Sequence, residues 1–284
     1  PGFLNIQLTN EAIKTFINKI YEINKLYGST LNNKKYNIEF VSANPTGPMH
    51  VGHCRGSIYG DVLANLLKFN GNIVTKEYYI NDCGSQIDNF TKSVFLRIKE
   101  IKYKKEFVNE TNLYPGEYII DIAKKIINEN KNLTFMNLED SYNLIRKDSL
   151  KHSMNLIKSD LEKLGIKHDN FFSESELVKK DLVNIAVNTL KKDKFVEEGY
   201  LNPPKGEVIK NWKNTKRLVF KSTLFGDDAD RALQKNDGSW TYFANDVAYH
   251  SDKVSRNYDY LINVLGADHT GYIKRINAAV EALS

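Results

Sequence analysis

The sequence contains no run of about 18 apolar residues, so no segment of it is predicted to span a membrane. It has two cysteines, Cys54 and Cys83, which are too few for a disulfide framework or a four-thiolate metal site. The first residues, 1–5, lack the basic and then apolar layout of a signal peptide. Internal repeats, long Gly/Ser linkers and low-complexity tracts are also missing. These absences together predict a globular protein in the reducing cytoplasm.

Size and charge set wide limits on the function. The 284 residues, 41% of them hydrophobic, can bury the core of one large domain or of two smaller ones. The net charge of +5 permits a polyanionic partner but does not require one. Two lysine clusters, at 102–105 and 191–194, are interpreted either as solvated faces or as contacts with nucleic acid.

The first third of the chain has the pattern of a βαβ unit. Apolar residues at helical spacing predict a helix over 10–28, with Asn10 as its N-cap. A short apolar run predicts a strand over 36–42, and helical spacing returns from about Gly52 to Phe69. Residues 73–80 predict a second strand. Strand, tight turn, helix and strand begin a parallel sheet with right-handed crossovers.

The rest of the chain predicts a second part of the same sheet. Residues 88–215 have mostly helical patterns, whereas 258–265 is strand-like and is followed by a helix from Tyr272. The predicted fold class is therefore α/β, a Rossmann-like open parallel sheet split by a largely helical insertion. The predicted divisions are a helical lead-in (1–30), the first half of the nucleotide-binding fold (31–90), the insertion (91–215) and the second half of the fold (216–284).

The loop over 44–53 lies where open parallel sheets bind ligands, beyond the carboxyl end of a strand. We expect Gly47 and Gly52 to allow positive φ or a close approach to a ligand. The helix that follows offers free N–H groups and a positive dipole end to phosphate. His50 and His53, three residues apart, should project to the same side of the helix. The pattern predicts an anion cradle with two imidazole donors, suited to charge developing on a phosphate attacked at Pα.

Two other interpretations of the histidines remain open. They could be a surface pair, or half of a zinc site with the adjacent Cys54. Zinc-binding pairs on helices favour a spacing of four residues, and the sequence has no evident second cluster of ligands. No metal ligand is therefore predicted.

Several ordered blocks resemble the bacterial-type arginyl-tRNA synthetases, a class I synthetase family. The stretch Glu39–His53 resembles the family's signature, and its last four residues match the His-x-Gly-His element of the class. The other blocks, in family order, are Glu77–Ile87, Phe225–Asp228, Thr241–His250 and Gly266–His269. The likeness runs along the whole chain and is weakest over 91–200. Several blocks in order are more specific than one short motif.

The resemblance implies an arginine pocket. It is formed by Asn44, Tyr242 and Asp246, with Glu39 close by and with His50 and His269 also facing the amino acid. The chemistry agrees, because a guanidinium requires carboxylates that accept from its planar fork of donors. The alternatives are a helix N-terminal carboxylate for Asp246 and a surface strand carboxylate for Glu39.

The resemblance also implies an ATP site at two strand ends, with His50 and His53 as the catalytic residues. Its expected residues are Gly47, Met49, His50, Gly52, His53, Gly266, Asp268 and His269. The alternative for 266–269 is a solvated turn with Asp268 as an N-cap. ATP would bring Mg²⁺ that keeps most of its water, so no tightly bound, protein-ligated metal is expected.

The implied function is the ATP-dependent activation of L-arginine and its transfer to tRNA(Arg) by a monomer. Lys253-Val254-Ser255-Arg256 resembles the lysine signature of the class only loosely and precedes its strand, so we interpret it as unrelated. Without that loop, an anticodon-binding domain and an N-terminal tRNA-contact domain, the sequence is predicted to be a piece that is incomplete for catalysis. The alternatives are a small-molecule nucleotidyltransferase of the same superfamily and a non-catalytic, synthetase-like RNA-binding module.

Overall fold

The computed structural model describes residues 2–201 and 215–284, and of Asp268 only the backbone. Seven strands lie in this part of the chain: β1 (Lys35–Glu39), β2 (Ile73–Ile80), β3 (Asn170–Ser173), β4 (Val196–Gly199), β5 (Arg217–Phe220), β6 (Arg231–Ala232) and β7 (Tyr260–Asn263). Four of them form a parallel sheet in the order β3-β2-β1-β7. The other three form a small antiparallel sheet in the order β4-β5-β6.

Helices surround these sheets. In the described residues they are α1 (Asn10–Ile23), α2 (Val51–Phe69), α3 (Ser85–Tyr103), α4 (Glu117–Glu129), α5 (Leu138–Lys163), α6 (Ser175–Lys179), α7 (Leu182–Lys192), α8 (Tyr242–Ser255) and α9 (Ile273–Leu283). Short 3₁₀ turns lie at 24–26, 222–225 and 267–272. Within the described ranges, every helix is too short or too polar to cross a bilayer.

One face of the parallel sheet is apolar. Ile38 of β1 and Tyr78 of β2 are buried in a cluster with Ala64 of α2 and Ile157 of α5. Alternate residues of a strand point to opposite faces, so every second residue of β1 and β2 points to this apolar face. Burying it between α2 and α5 supplies the hydrophobic stabilisation of this half of the fold.

The other face of the same strands is polar, yet it is also buried. Asn37 of β1 and Glu77 of β2 have no exposed surface. Helix α8 covers them, and Arg256, just after α8, donates to Glu77 at 2.5 and 2.9 Å. Tyr249 Oη donates to the same carboxylate at 2.7 Å, and Asn37 Nδ2 at 3.0 Å. A buried carboxylate is tolerated because its oxygens are fully partnered, and this network ties α8 to the sheet.

The predicted βαβ unit is confirmed. Strand β2 has the predicted bounds, and α2 ends at the predicted Phe69. The first strand is shorter than the predicted 36–42, because Val41 and Ser42 have positive φ values of 69° and 40° that end the extended run. The predicted strand over 258–265 is likewise confirmed as the shorter β7.

Two details at the first helix were wrong. The N-cap of α1 is Thr9, whose Oγ1 accepts from the N–H of Ala12 at 3.1 Å, and Asn10 is already helical. The helix ends at Ile23, because Asn24 has a φ of 54°. A threonine side chain has the same capping chemistry as asparagine, so composition alone did not separate the two positions.

The range 91–215 differs from the prediction in one respect. Helices α3, α4 and α5 pack around a core of their own, as a largely helical insertion should. However, two strands lie inside this range: β3 pairs with β2 in the parallel sheet, and β4 pairs with β5 in the antiparallel sheet. Four residues are too few to show a clear period in the sequence. Residues 202–214 of the range lie outside the described residues, and the division into domains stays a prediction.

Candidate active site

A cavity of about 400 Å³ opens at the carboxyl ends of the parallel strands, between β1, β2, α8 and α9. This is the position at which open α/β sheets bind ligands. Four groups of polar side chains line it: the carboxylates Glu39, Glu174 and Asp246, the tyrosines Tyr79, Tyr242, Tyr249 and Tyr272, the amides Asn81, Asn245 and Asn263, and the histidines His250 and His269. Such a lining suits a planar, multiply donating cation.

Asp246 occupies the second turn of α8, one turn after Tyr242 on the same face. The alternative of an N-terminal carboxylate is therefore wrong, because Thr241 caps the helix and bonds the N–H of Ala244 at 3.2 Å. Tyr272 Oη donates a hydrogen bond to Asp246. Burial raises the pKa of Asp246 to about 7, against the pull of the Tyr272 hydrogen bond and with support from the nearby Glu39 and Glu174. The Asp246 carboxyl group is therefore close to half ionised near neutral pH, and a bound cation would favour its charged form.

Glu174 is a cavity carboxylate that the sequence did not indicate. It follows β3, and Asn245 Nδ2 donates to its Oε1 at 3.1 Å. Burial raises its pKa as well. Asp82 fixes this strand end, because it accepts from Ser173 Oγ at 2.6 Å and from the N–H of Ser175 at 2.8 Å. Recognition of β3 in the sequence would have identified Glu174. An acidic residue directly after a strand of a parallel sheet is a candidate ligand-binding residue, because ligands bind at that edge of the sheet.

Glu39 lies in the cavity wall and is not a surface strand carboxylate, because its side chain is only 12% exposed. Lys253 Nζ donates to its Oε2 at 2.5 Å, and Ser42 Oγ donates to its Oε1 at 3.2 Å. Burial alone would raise the pKa of Glu39, but the charge and hydrogen bond of Lys253 outweigh burial and lower it. Glu39 is therefore charged in the folded protein.

The two motif histidines cap α2 reciprocally. The N–H of Gly52 donates to His50 Nδ1 at 3.1 Å, and the N–H of His50 donates to His53 Nδ1 at 3.3 Å. The rings stack with centroids 3.8 Å apart, so the prediction that they project to one side is confirmed. Since each Nδ1 accepts, the proton of each neutral ring is on Nε2. Burial and the neighbouring His50 lower the pKa of His53, which favours this neutral form.

The roles expected of the two loop glycines are partly wrong. Neither Gly47 nor Gly52 has positive φ. A Cβ on Gly47 would lie 3.0 Å from the ring of Tyr118, and a Cβ on Gly52 would lie 2.9 Å from the ring of His50. The absence of a Cβ at these two glycines therefore allows side chains of the protein itself, Tyr118 and His50, to approach the backbone closely. The N–H of Gly52 is also not free for phosphate, because it is bonded to His50.

The structure brings together four of the six residues predicted to bind arginine. Glu39, Tyr242, Asp246 and His269 line the one cavity. The described residues that line it do not include His50 or Asn44, which lie on the loop after β1, where Asn44 Nδ2 donates to Gln86 Oε1 at 2.9 Å.

The predicted ATP residues divide between two places. Gly47, Gly52 and the two histidines lie on the loop and first turn of α2, and Met49 packs against the apolar cluster beneath the sheet. Gly266 lines an adjoining cavity of about 530 Å³ between β7 and α9, which shares Asn263 and His250 with the first cavity. The side chain of Asp268 lies outside the described residues.

Side-chain placement decides the interpretation of the tetrapeptide 253–256. Lys253 is buried against Glu39 and Arg256 holds the buried Glu77, so both cations of the tetrapeptide 253–256 are engaged by carboxylates of the sheet and it is not a phosphate loop. Cys54 Sγ lies 3.9 Å from the carbonyl oxygen of His50. The described ranges contain no group of three or more His, Cys, Asp or Glu side chains placed to hold a metal ion.

Comparison with known proteins decides the family. The family described as tRNA synthetases class I (R), catalytic domain, matches residues 16–284. The chain belongs to this family. The observed parallel sheet with its helical covering is accordingly a class I synthetase catalytic fold, as the sequence predicted.

Relatives of this synthetase domain support the assignment over its whole length. It is 55% identical to the arginine–tRNA ligase of Pelagibacter ubique and 50% identical to that of Ehrlichia ruminantium, in both cases over 100% of the chain and 50% of the relative. It thus spans about half the length of these curated relatives. An arginyl-tRNA synthetase structure from Campylobacter jejuni superposes with a TM-score of 0.83 at 33% identity, over 97% of the chain and 57% of that protein. The Thermus thermophilus arginyl-tRNA synthetase, at 17% identity and a TM-score of 0.65 over 99% of the chain and 50% of that protein, shares the fold.

Proposed function

We propose that this chain carries the ATP- and arginine-binding site of an arginine–tRNA ligase, which activates L-arginine and transfers it to tRNA(Arg). The observation that carries the proposal is the placement of Asp246 and Glu174 in one cavity walled by tyrosines. A guanidinium stays protonated at every physiological pH and donates in a plane, so two carboxylates among flat aromatic walls match its charge and its shape. A lysine ammonium, as a compact point charge, fits this arrangement less well.

The histidine loop supports ATP as the second substrate. It lies at the same edge of the sheet, and the two Nε2–H groups are donors suited to phosphate oxygens. In the proposed reaction the arginine carboxylate attacks Pα of ATP and releases pyrophosphate, and a terminal ribose hydroxyl of the tRNA then takes the arginyl group. No protein nucleophile takes part, so the chain contributes positioning and charge stabilisation. Mg²⁺ enters as part of the ATP substrate.

Calorimetric titration with arginine, lysine and citrulline tests the amino-acid site. Citrulline has the shape of arginine but carries a neutral urea in place of the guanidinium. We expect arginine to bind at least about tenfold more tightly than citrulline, because citrulline lacks an ionic hydrogen bond that contributes more than about 1.4 kcal/mol. Lysine should also bind more weakly, because its ammonium cannot reproduce the planar set of guanidinium donors. Equal affinity for citrulline would rule out a carboxylate-based guanidinium site.

Substitution of the histidines tests the ATP site separately. His50→Ala and His53→Ala should weaken ATP binding, because each removes an Nε2 donor, and should leave arginine binding unchanged. If both ligands lose affinity equally, the histidines act only as a structural helix cap. The prediction of a cytoplasmic monomer belongs to the same proposal, and light scattering of the purified chain tests the monomer.

A further inference from the structure

Lys253 is a buried cation that joins three walls of the cavity. Its side chain has no exposed surface, and its Nζ donates to Glu39 Oε2 at the end of β1 at 2.5 Å. The same Nζ donates to Asn263 Oδ1 at the end of β7 at 2.9 Å. It also lies 4.5 Å from the centroid of the Tyr249 ring in its own helix, α8. Burial of an ammonium group costs free energy unless its contacts compensate for the lost hydration. The carboxylate, the amide oxygen and the aromatic ring around Lys253 all stabilise a positive charge.

A directed chain of hydrogen bonds runs from Lys253 to the turn of α8 that carries Asp246. The carbonyl oxygen of Asp246 can only accept, so His250 Nδ1, 2.8 Å away, donates to it. His250 Nε2 then accepts from Asn263 Nδ2 at 2.9 Å, which leaves Asn263 Oδ1 to accept from Lys253. Burial and the charge of Lys253 lower the pKa of His250 to about 4, so the ring stays neutral and the direction of the chain is fixed.

We propose that Lys253 is a positioning residue for the amino-acid site: it keeps the Glu39 carboxylate charged and oriented in the cavity wall, and through Asn263 and His250 it fixes the turn that presents Asp246. The inference rests on the proposed arginine site and deepens it. It assigns different roles to two cavity carboxylates. Glu39 is a permanent anion held by a protein cation, whereas Asp246 is left for the ligand.

The electrostatics around Glu39 explain why a cation is needed there. The titratable and charged groups that act on it are Lys253, Tyr249, His250 and Asp246 of α8 and Tyr79 of β2. Lys253 is the one cation in this set, because the pKa of His250 is lowered to about 4 and its ring is held neutral. Without it, Glu39 would be a buried carboxylate beside Asp246 and would take up a proton. Arginine would then have to displace that proton in order to bind.

The chain offers a matched control for Lys253→Met. Lys76 of β2 is also a buried lysine, with a side chain 9% exposed, and its Nζ donates to Asp61 at 2.6 Å and to Asn65 at 2.8 Å. It lies next to Glu77 in the strand and therefore points to the opposite face of the sheet. Lys76→Met removes the same kind of ion pair without touching the cavity.

The experiment measures arginine affinity and proton release by calorimetry, in two buffers of different ionisation enthalpy at pH 6.5. We expect Lys253→Met to weaken arginine binding by about tenfold or more and to increase the protons released per arginine, since Glu39 must now ionise on binding. Lys76→Met should keep both values close to those of the unaltered chain. If Lys253→Met also keeps both values, Lys253 has no positioning role.

A double-mutant cycle with Glu39→Gln covers the case in which Lys253→Met alone fails to fold. The double variant removes both charges of the pair, and a buried pair replaced by neutral groups is tolerated far better than a lone buried charge. If Lys253 acts partly through Glu39, the loss of arginine affinity in the double variant should be smaller than the sum of the two single losses. Additive losses, or a Glu39→Gln variant with unchanged affinity, would overturn the inference. Absence of arginine binding by the unaltered chain would instead overturn the proposed function, and the inference with it.

Discussion

Tyr272 Oη donates a hydrogen bond to the carboxylate of Asp246, 26 positions away in the sequence. The bond joins the segment before α9 to the second turn of α8 inside the cavity. The hydrogen bond and burial have opposite effects on the pKa of Asp246. The hydrogen bond lowers it by favouring the charged carboxylate, whereas burial raises it by favouring the protonated form. Burial has the larger effect, because the pKa of Asp246 is raised to about 7.

Arginine affinity should therefore increase with pH. The pKa of Asp246 is about 7 in the folded chain, so the carboxyl group is largely protonated at pH 6 and largely charged at pH 8. Because a guanidinium binds the charged form, we expect the Kd for arginine to fall by roughly tenfold between pH 6 and pH 8. Titrations across this range measure the change. A flat profile would show that Asp246 does not contact the guanidinium.

Asp246→Asn should stabilise the chain while reducing its preference for arginine. The folded pKa of about 7 exceeds the ordinary value of 3.8, so stability declines as pH rises between these values and stays lower above them. An amide has no such dependence, and we expect the free energy of unfolding at pH 8 to rise by on the order of 2 kcal/mol. Urea denaturation measures it, and the preference for arginine over citrulline should fall, because one of the two carboxylates proposed to bind the guanidinium is gone. The exposed Asp121 of α4 provides the control Asp121→Asn, which should change neither property.

Gly52→Ala should impair the nucleotide site without unfolding the chain. The new methyl group would lie 2.9 Å from Cε1 of His50, so the His50 ring must leave its position over the first turn of α2. We expect ATP affinity to drop by about tenfold, with thermal stability lowered only slightly. Gly56→Ala is the matched control in the same helix, since a Cβ there meets nothing within 4 Å. If Gly52→Ala binds ATP normally, the placement of the His50 ring is irrelevant to the nucleotide.

Arg256→Met should destabilise the fold strongly. It leaves the fully buried Glu77 without the guanidinium that donates to both of its oxygens, and a buried charge that loses its partner costs about 3–5 kcal/mol. Chemical denaturation measures the loss. Lys163→Met removes the exposed ion pair with Asp160 and should cost less than about 1 kcal/mol. Similar losses for both variants would mean that the Glu77 network contributes little to stability.

The local features of the fold could be predicted from the sequence. The helical spacing of α2 and the apolar run of β2 are properties of neighbouring residues, and both were located correctly. The His-x-Gly-His element placed two imidazoles on one helix turn, since spacing along a helix fixes which side chains share a face. Asp246 and Tyr242 were paired by the same rule, one turn apart in α8.

Contacts between distant segments required the tertiary structure. Glu174 joins the cavity only because β3 pairs with β2, and the four residues of β3 have no period of their own. The 253–256 tetrapeptide resembles a phosphate loop as a string, but the packing of α8 on the sheet turns Lys253 and Arg256 towards Glu39 and Glu77. Partners separated by more than 170 positions cannot be inferred from one sequence.

The sequence by itself therefore determined the family, the parallel sheet and the histidine turn, because these depend on local periodicity and on ordered motifs. The tertiary structure decided which charges are available to a ligand. Burial raises the pKa of Asp246 to about 7, while a lysine from the far end of α8 keeps Glu39 ionised. Desolvation and ion pairing depend on the groups that surround a side chain in space, and for these two carboxylates the fold alone supplies them.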